Sequence, residues 1–352
     1  MSGRADPARI RALVEFLCSP VCAGRAPGTP EGLAARDRIL AELAGAGLTP
    51  AGPGGEWLQR IPGHGGHNVL GRLAGGASRE RALLVAAHYD HLGQRGEEVF
   101  WGADDNAAAV AILVEVARLL AGEELGRDVL FCAFDAEEPP HFCMPGMGSV
   151  YYVEHPPLPL ERIDVMLCMD LVGHALGPEG LPAAVRDSLF VLGCGRGAGL
   201  AELVEGVAAP AGVVPRRMSC EVIPALSDYY AFDRAQIPFL FLTCGRWEHY
   251  HQPSDTPEKL AYGKIAATAE WLAATLRALA AHPGRIDYVE GGSDDRGTVE
   301  SLQAVAQALG EVDPRAEMLE LALAPLAGRE TFSKAERIQL AQLVGMVESA
   351  LS

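Results

Sequence analysis

The chain is short of positive charge: 29 Lys and Arg stand against 46 Asp and Glu, a formal net charge of −17. That balance excludes nucleic acid and anionic membrane surfaces as expected partners, and bound cations would offset part of it. No stretch is long and apolar enough to span a bilayer. Internal repeats and low-complexity segments are absent, which excludes solenoid and linker-like architectures. A signal peptide is not recognisable either. The opening MSGRADPARIRALVEF is charged and reads as an amphipathic helix. The eight cysteines are scattered, mostly inside apolar runs such as those holding Cys132, Cys168 and Cys244. Together with the missing secretion signal, this usage predicts reduced, buried thiols and a cytoplasmic protein. Cys18 and Cys22 are four residues apart with Pro20 between them, a spacing that argues against a metal or disulfide role.

What is present is enough apolar material for a large core: 352 residues, 49% hydrophobic. Helical periodicity runs over 7–18 and 30–47, and glycine-rich loop over 51–67. Strands are predicted near 68–73, 82–88, 128–135, 163–170, 188–194 and 238–243. Helices are predicted over 105–121, through Tyr151 and Tyr152, and near 197–208, 226–234 and 257–281. Alternating strand and helix predicts an α/β fold, a mostly parallel twisted sheet with helices on both faces. The pattern changes after His282-Pro283-Gly284. Residues 1–282 read as one catalytic domain, 283–296 as a linker, and 297–352 as an all-helical C-terminal appendage.

Three apolar runs end in residues that bind metals. LLVAAH closes on His88, VLFCAFDAEE on Glu137 and Glu138, and IDVMLCMD on Asp170. Sites in open α/β sheets form at the carboxyl ends of strands, so these residues are expected to converge. A neutral imidazole that binds metal needs its second nitrogen held by a partner, and Asp90, two residues beyond His88, has that character. Gly102-Ala-Asp-Asp-Asn106 offers a carboxylate able to bridge two ions, which in hydrolytic sites lie roughly 3.5–4 Å apart. The ordinary alternative is a helix N-cap, and spacing alone does not separate Asp104 from Asp105. Adjacent residues on an extended segment point in different directions. One glutamate of the Glu137-Glu138 pair can therefore bind metal while the other faces an attacking water. Asp170 ends an apolar strand, where a charge must be paired or coordinated. His251 is a further ligand candidate, and the Tyr250 hydroxyl could donate to an oxyanion. The Asp255-Thr-Pro-Glu258 stretch that follows reads as a helix start with Pro257 in its first turn.

Taken together, HYDHLG, GADDNAAAV, FDAEE, MLCMDLVG and YHQPSDTPEKL resemble the M28 metallopeptidase family, zinc aminopeptidases related to the bacterial leucyl aminopeptidases. AGRAPGTPEG and HNVLGRLAG resemble the family's opening, and the likeness covers roughly residues 20–280. The resemblance implies two zinc ions. One would be held by His88 and Asp170, the other by Glu138 and His251, with Asp105 bridging. It also implies Glu137 as general base, Tyr250 as oxyanion donor and Asp90 as the partner of His88. Two features depart from the family: Ala108-Ala109 follows the bridging segment, and the EPPHFCMPGMGS stretch after Glu138 resembles a bacterial subgroup with an EPP-type loop.

The implied function is removal of N-terminal amino acids from short peptides or aminoacylated small molecules. Two alternatives share the fold. An N-acyl amino acid deacylase or carboxypeptidase would need a cation for the substrate's carboxylate, and Arg246 is a candidate. A glutaminyl cyclase would use one zinc, against which the full set of five ligands argues. A non-catalytic interaction protein on a retained fold is the third class. His91 and His249 are expected to line the site, and His141 to be a solvated loop residue. In the tail, Leu302, Val305, Leu309, Leu340, Leu343 and Val347 recur at helical spacing. These faces are expected to pack on the main domain; a homo-oligomer contact is the alternative.

Overall fold

The computed structural model describes residues 3–76, 80–310, 312–329 and 331–351. In chain order its helices are α1 (Pro7–Leu17), α2 (Pro30–Gly45), α3 (Ala108–Leu120), α4 (Gly148–Glu154), α5 (Ala183–Arg186) and α6 (Leu200–Glu205). They continue with α7 (Tyr229–Arg234), α8 (Tyr262–Ala281), α9 (Asp295–Leu309), α10 (Arg315–Leu323) and α11 (Lys334–Leu351). The strands are β1 (Thr49–Pro50), β2 (Leu58–Arg60), β3 (His67–Leu73), β4 (Ala82–His88), β5 (Gln94–Arg95) and β6 (Glu98–Val99). Then follow β7 (Asp128–Phe134), β8 (Ile163–Met169), β9 (Ser188–Leu192), β10 (Val214–Met218) and β11 (Phe239–Thr243).

One sheet runs in the order β1-β3-β7-β4-β8-β11-β9-β10, with β2 added on β3. Its four central strands, β7, β4, β8 and β11, are parallel, while antiparallel pairs join them to β3 on one side and β9 on the other. The centre is parallel because each of its strands is apolar on both faces; β4, β7 and β8 are buried at every residue. Alternation then divides the side chains. Leu83, Val85 and Ala87 of β4 meet the helices α1, α2, α3 and α8. Ala82, Leu84 and Ala86 face the opposite layer, where Leu302, Leu323, Leu340 and Leu343 of the last helices also pack. The expected α/β architecture is therefore present as a mixed sheet covered on both faces.

Several boundaries differ from the sequence expectations. The helix anticipated from residue 105 begins at Ala108, because Ala103–Ala107 form an irregular turn in which Asp105 is extended (φ −109°, ψ 84°). The helix anticipated from Pro257 begins at Tyr262, after a separate turn at Pro257–Lys259. Strand β10 was not foreseen. Its sequence, VPRRM, lacks an apolar run, as suits an edge strand. The stretch 283–296 is tied down rather than loose. Arg127 donates to the carbonyls of His282 and Gly284, Ile286 is buried, and Tyr288 bridges to Gly197. All eight cysteines are unpaired, and burial pushes the Cys18 thiol up to about 12. Among the described residues no helix is long and apolar enough to cross a membrane.

Candidate metal centre

Parallel β4, β7 and β8 end side by side, and their carboxyl ends deliver His88, the Asp135–Glu138 turn and Asp170 to one place. The turn before α3 supplies Asp105, and the loop after β11 supplies His251. His88 Nε2 lies 3.4 Å from Asp105 Oδ1 and 3.5 Å from Asp170 Oδ1. His251 Nε2 lies 3.2 Å from Asp105 Oδ2 and 3.1 Å from Glu138 Oε2. Asp105 thus turns one oxygen to each histidine, and it caps no helix. Asp104 is engaged elsewhere, accepting from Gly173 N at 2.5 Å and from His174 Nδ1 at 2.6 Å.

These separations suit shared zinc ions. Two donors about 2.05 Å from a tetrahedral zinc sit about 3.3 Å apart, whereas a direct N–H···O bond would close to about 2.9 Å. His88 Nε2 and Asp170 Oδ1 are buried without a hydrogen-bond partner, which is costly unless something else satisfies them. The electrostatics agree. Asp105, Glu137, Glu138 and Asp170 share one buried volume. Burial pushes the Glu137 carboxyl well above its usual range, with Asp170 and Glu138 adding to the shift and His88 opposing it. Burial also raises Asp170, again against His88. His251 is pushed to about 10: burial works against its charge, but Asp105 and Glu138 outweigh it. A volume this rich in carboxylate calls for cations.

Around the ligands sits a layer that orients them. The Asp90 carboxylate accepts from the backbone N–H of Glu137 at 3.0 Å and of Glu138 at 3.1 Å. His88 Nδ1 faces Asp90 through its carbonyl at 3.3 Å and its Oδ1 at 3.6 Å. The Asp90 carboxylate thus holds the glutamate turn through two hydrogen bonds, while His88 meets the Asp90 backbone carbonyl. Tyr250 stacks on His251, ring centroids 3.9 Å apart. Burial, reinforced by Asp105 and Asp170, holds its hydroxyl protonated and able to donate. His141 packs on His64 with ring centroids 4.4 Å apart, and His249 lies 2.9 Å from Lys259 Nζ.

Three positioning residues escaped the sequence reading. His91 was expected only to line the site, yet its Nδ1 sits 2.8 Å from Glu138 Oε1, a direct hydrogen bond that leaves Oε2 for the ion. The signal was the second histidine of HYDHLG. Asp255 is the second: its carboxylate accepts from Asp104 N and Asp105 N, holding the turn that carries Asp105 from 150 residues away. The third is Arg25, in AGRAPGT, whose guanidinium donates to the carbonyls of Tyr89, Trp101 and Gly102 beside the centre and of Leu17 at the end of α1. Gly102 shows how tight the turn is. It holds φ +59°, and a Cβ there would strike the Asp105 carbonyl oxygen and the His91 ring. Gly102→Ala is expected to weaken metal binding about 10–100-fold, the usual scale for disturbing residues that orient ligands. Zinc titration against a competing chelator measures it, and wild-type affinity would show that the close approach does not matter.

The family profile of peptidase family M28 matches residues 68–276. The chain belongs to that family. That family is one of peptidases. It is 28% identical over 213 residues to the uncharacterized protein YfbL of Escherichia coli (strain K12), across 53% of this chain and 64% of that one. The chain thus spans less than two thirds of the curated relatives it matches. The fold is similar to that of the LapA aminopeptidase of Legionella pneumophila, with TM-score 0.64, 16% identity, and 79% of this chain and 73% of that chain covered. It is also similar to the glutaminyl cyclase of Porphyromonas gingivalis, with TM-score 0.60, 20% identity, and coverage of 78% and 99%.

Proposed function

We propose that the protein is a two-zinc aminopeptidase that removes N-terminal residues from short peptides or aminoacylated small molecules. The observation that carries this reading is Asp105, with one oxygen turned to the His88–Asp170 group and the other to the His251–Glu138 group. Two zinc ions held there would lower the pKa of a shared water and polarise the scissile carbonyl. Glu137, whose Oε2 lies 3.8 Å from His88 Nε2, takes the proton from the attacking water and returns it to the leaving amine. Tyr250 donates to the developing oxyanion. The surrounding carboxylates favour a substrate with a free, cationic amino group.

A carboxypeptidase or deacylase on this scaffold needs a cation for the substrate's carboxylate. Arg246 lines the cavity beside the centre, but its Nε is 3.5 Å from Glu348 Oε1, which also accepts from the Arg246 backbone at 3.2 Å. That engagement favours the aminopeptidase. Free and N-blocked dipeptide mixtures, incubated with and without chelator and read by mass spectrometry, test the reading. Chelator-sensitive release of N-terminal residues from free peptides alone, with two zinc ions per chain, is the expected result. Cleavage of blocked peptides or a single zinc per chain would transfer the assignment to a deacylase or a cyclase.

A further inference from the structure

A cavity of about 190 Å³ opens from the metal centre, and only part of it is built by the matched region of the chain. At one end stand Glu137, Asp170 and His251. Phe190 of β9 and Phe241 of β11 line its sheet side, and Pro139 and Phe142 of the EPPHFC loop contribute at the same site. The remaining wall comes from the last helices: Leu302 and Val305 of α9, and Val344, Val347 and Leu351 of α11. The family match ends at residue 276, so the family core does not supply these side chains. Leu302 is also buried in the packing of the tail against the sheet, and Val305 and Leu351 in a cluster with Leu176 and Val185, so the wall is fixed by packing on both sides. A cavity of about 150 Å³ lined by aliphatic and aromatic side chains already holds benzene.

We propose that α9 and α11 form the specificity wall of the active site, accepting an apolar group of about four carbons or more beside the scissile amide. The inference rests on the hydrolase reading above. Three features support an apolar occupant: continuity with the metal centre, a lining away from it that is mainly aliphatic and aromatic, its charges Arg246 and Glu348 facing one another, and a volume that alanine or glycine would leave largely empty. The group is either the side chain of an N-terminal residue or an acyl chain on a blocked amine, and substrates separate the two.

The test compares kcat/KM for aminoacyl anilides of alanine, norvaline, norleucine and phenylalanine, and for N-acylglycines of matching chain length. Wild type is expected to prefer norleucine to alanine by at least about tenfold, the scale of apolar pocket discrimination. In Val305→Trp and Val347→Trp that ratio should fall about tenfold. If filling the wall prevents folding, Leu302→Ala and Leu351→Ala should instead move the optimum to longer chains. Calorimetric binding of n-hexanol to chelated protein gives a readout independent of turnover, and Val347→Trp should abolish it. Hydrolysis with chain-length preference unchanged in all four variants would overturn the wall and leave the hydrolase. Hexanol binding that the variants alter, with neither substrate series cleaved, would overturn the hydrolase reading and keep the wall. Cleavage of the acyl series alone would keep the wall, assign it an acyl chain and remove the aminopeptidase.

Discussion

Glu137→Gln is expected to lower kcat by about 10²–10⁴-fold, the usual contribution of a positioned general base, while zinc content stays at the wild-type level. The substitution is nearly isosteric. The backbone at residue 137 is held by the Asp90 carboxylate through its N–H, a bond that does not involve the side chain. The proposed ligand set His88, Asp105, Asp170, Glu138 and His251 is likewise untouched. What is lost is a carboxylate oxygen able to accept a proton, in a volume where burial already raises proton affinity. Glu138→Gln is the control. Its Oε2 faces His251 and its Oε1 receives His91, so the amide there should lower zinc occupancy. Metal analysis of both variants beside their kcat separates the roles. A near-normal kcat for Glu137→Gln would eliminate it as the base, and loss of zinc from that variant would make it a ligand.

The metal centre was more legible in the sequence than the pocket beside it, for a physical reason. Ligands at strand ends follow apolar runs, and a charge closing such a run stands out whatever the fold does later. Both faces of β4 are buried, so LLVAAH needs no alternation to be read as a strand. The bridging turn was different. Asp104 and Asp105 are equally polar and equally placed before a helix, and what separates them is a set of long-range bonds: Asp104 to Gly173 and His174, Asp255 to both backbone N–H groups. The same holds for His91, whose partner Glu138 is 47 residues away. Edge strand β10 carries two arginines where a core strand would carry valine or leucine, so periodicity could not find it. The tail helices showed apolar spacing, but a helical period says only that a face is covered. That Val305 and Val347 meet a cavity opening on the proposed ligands depends on how α9 packs on β10 and α11 on α9 and the Cys220–Val222 turn, which local pattern does not encode.

Arg25→Ala is expected to destabilise the protein by about 3 kcal/mol or more, and to loosen metal binding with it. Arg25 is fully buried. Its Nε donates to the Tyr89 carbonyl at 2.8 Å, Nη1 to Leu17 at 2.8 Å and Trp101 at 2.6 Å, and Nη2 to Gly102 at 2.8 Å. These carbonyls belong to three separate segments: the end of α1, the turn after His88, and the loop leading into Asp105. A single planar side chain therefore clamps the turns that carry His88 and Asp105 to helix α1, which precedes both in the chain. Alanine would leave the Leu17, Tyr89 and Trp101 carbonyls without a donor, each costing about 1–3 kcal/mol when buried and unpaired, while the Gly102 carbonyl keeps its bond from the Ala107 N–H. The low end of that range gives the stated figure, and water entering the space can supply only part of the lost bonds. The residue also sits at φ +50°, a left-handed conformation that costs roughly 1–2 kcal/mol and that alanine would bear without the compensating bonds. Lysine offers three donors from one point and cannot reproduce the fork, so Arg25→Lys should recover only a fraction of the stability. Denaturant midpoints measured on zinc-loaded and chelated protein check both halves of the expectation. If Arg25→Ala unfolds within about 0.5 kcal/mol of wild type, the range of ordinary surface substitutions, and binds zinc equally well, then the guanidinium is not what holds the two turns in register.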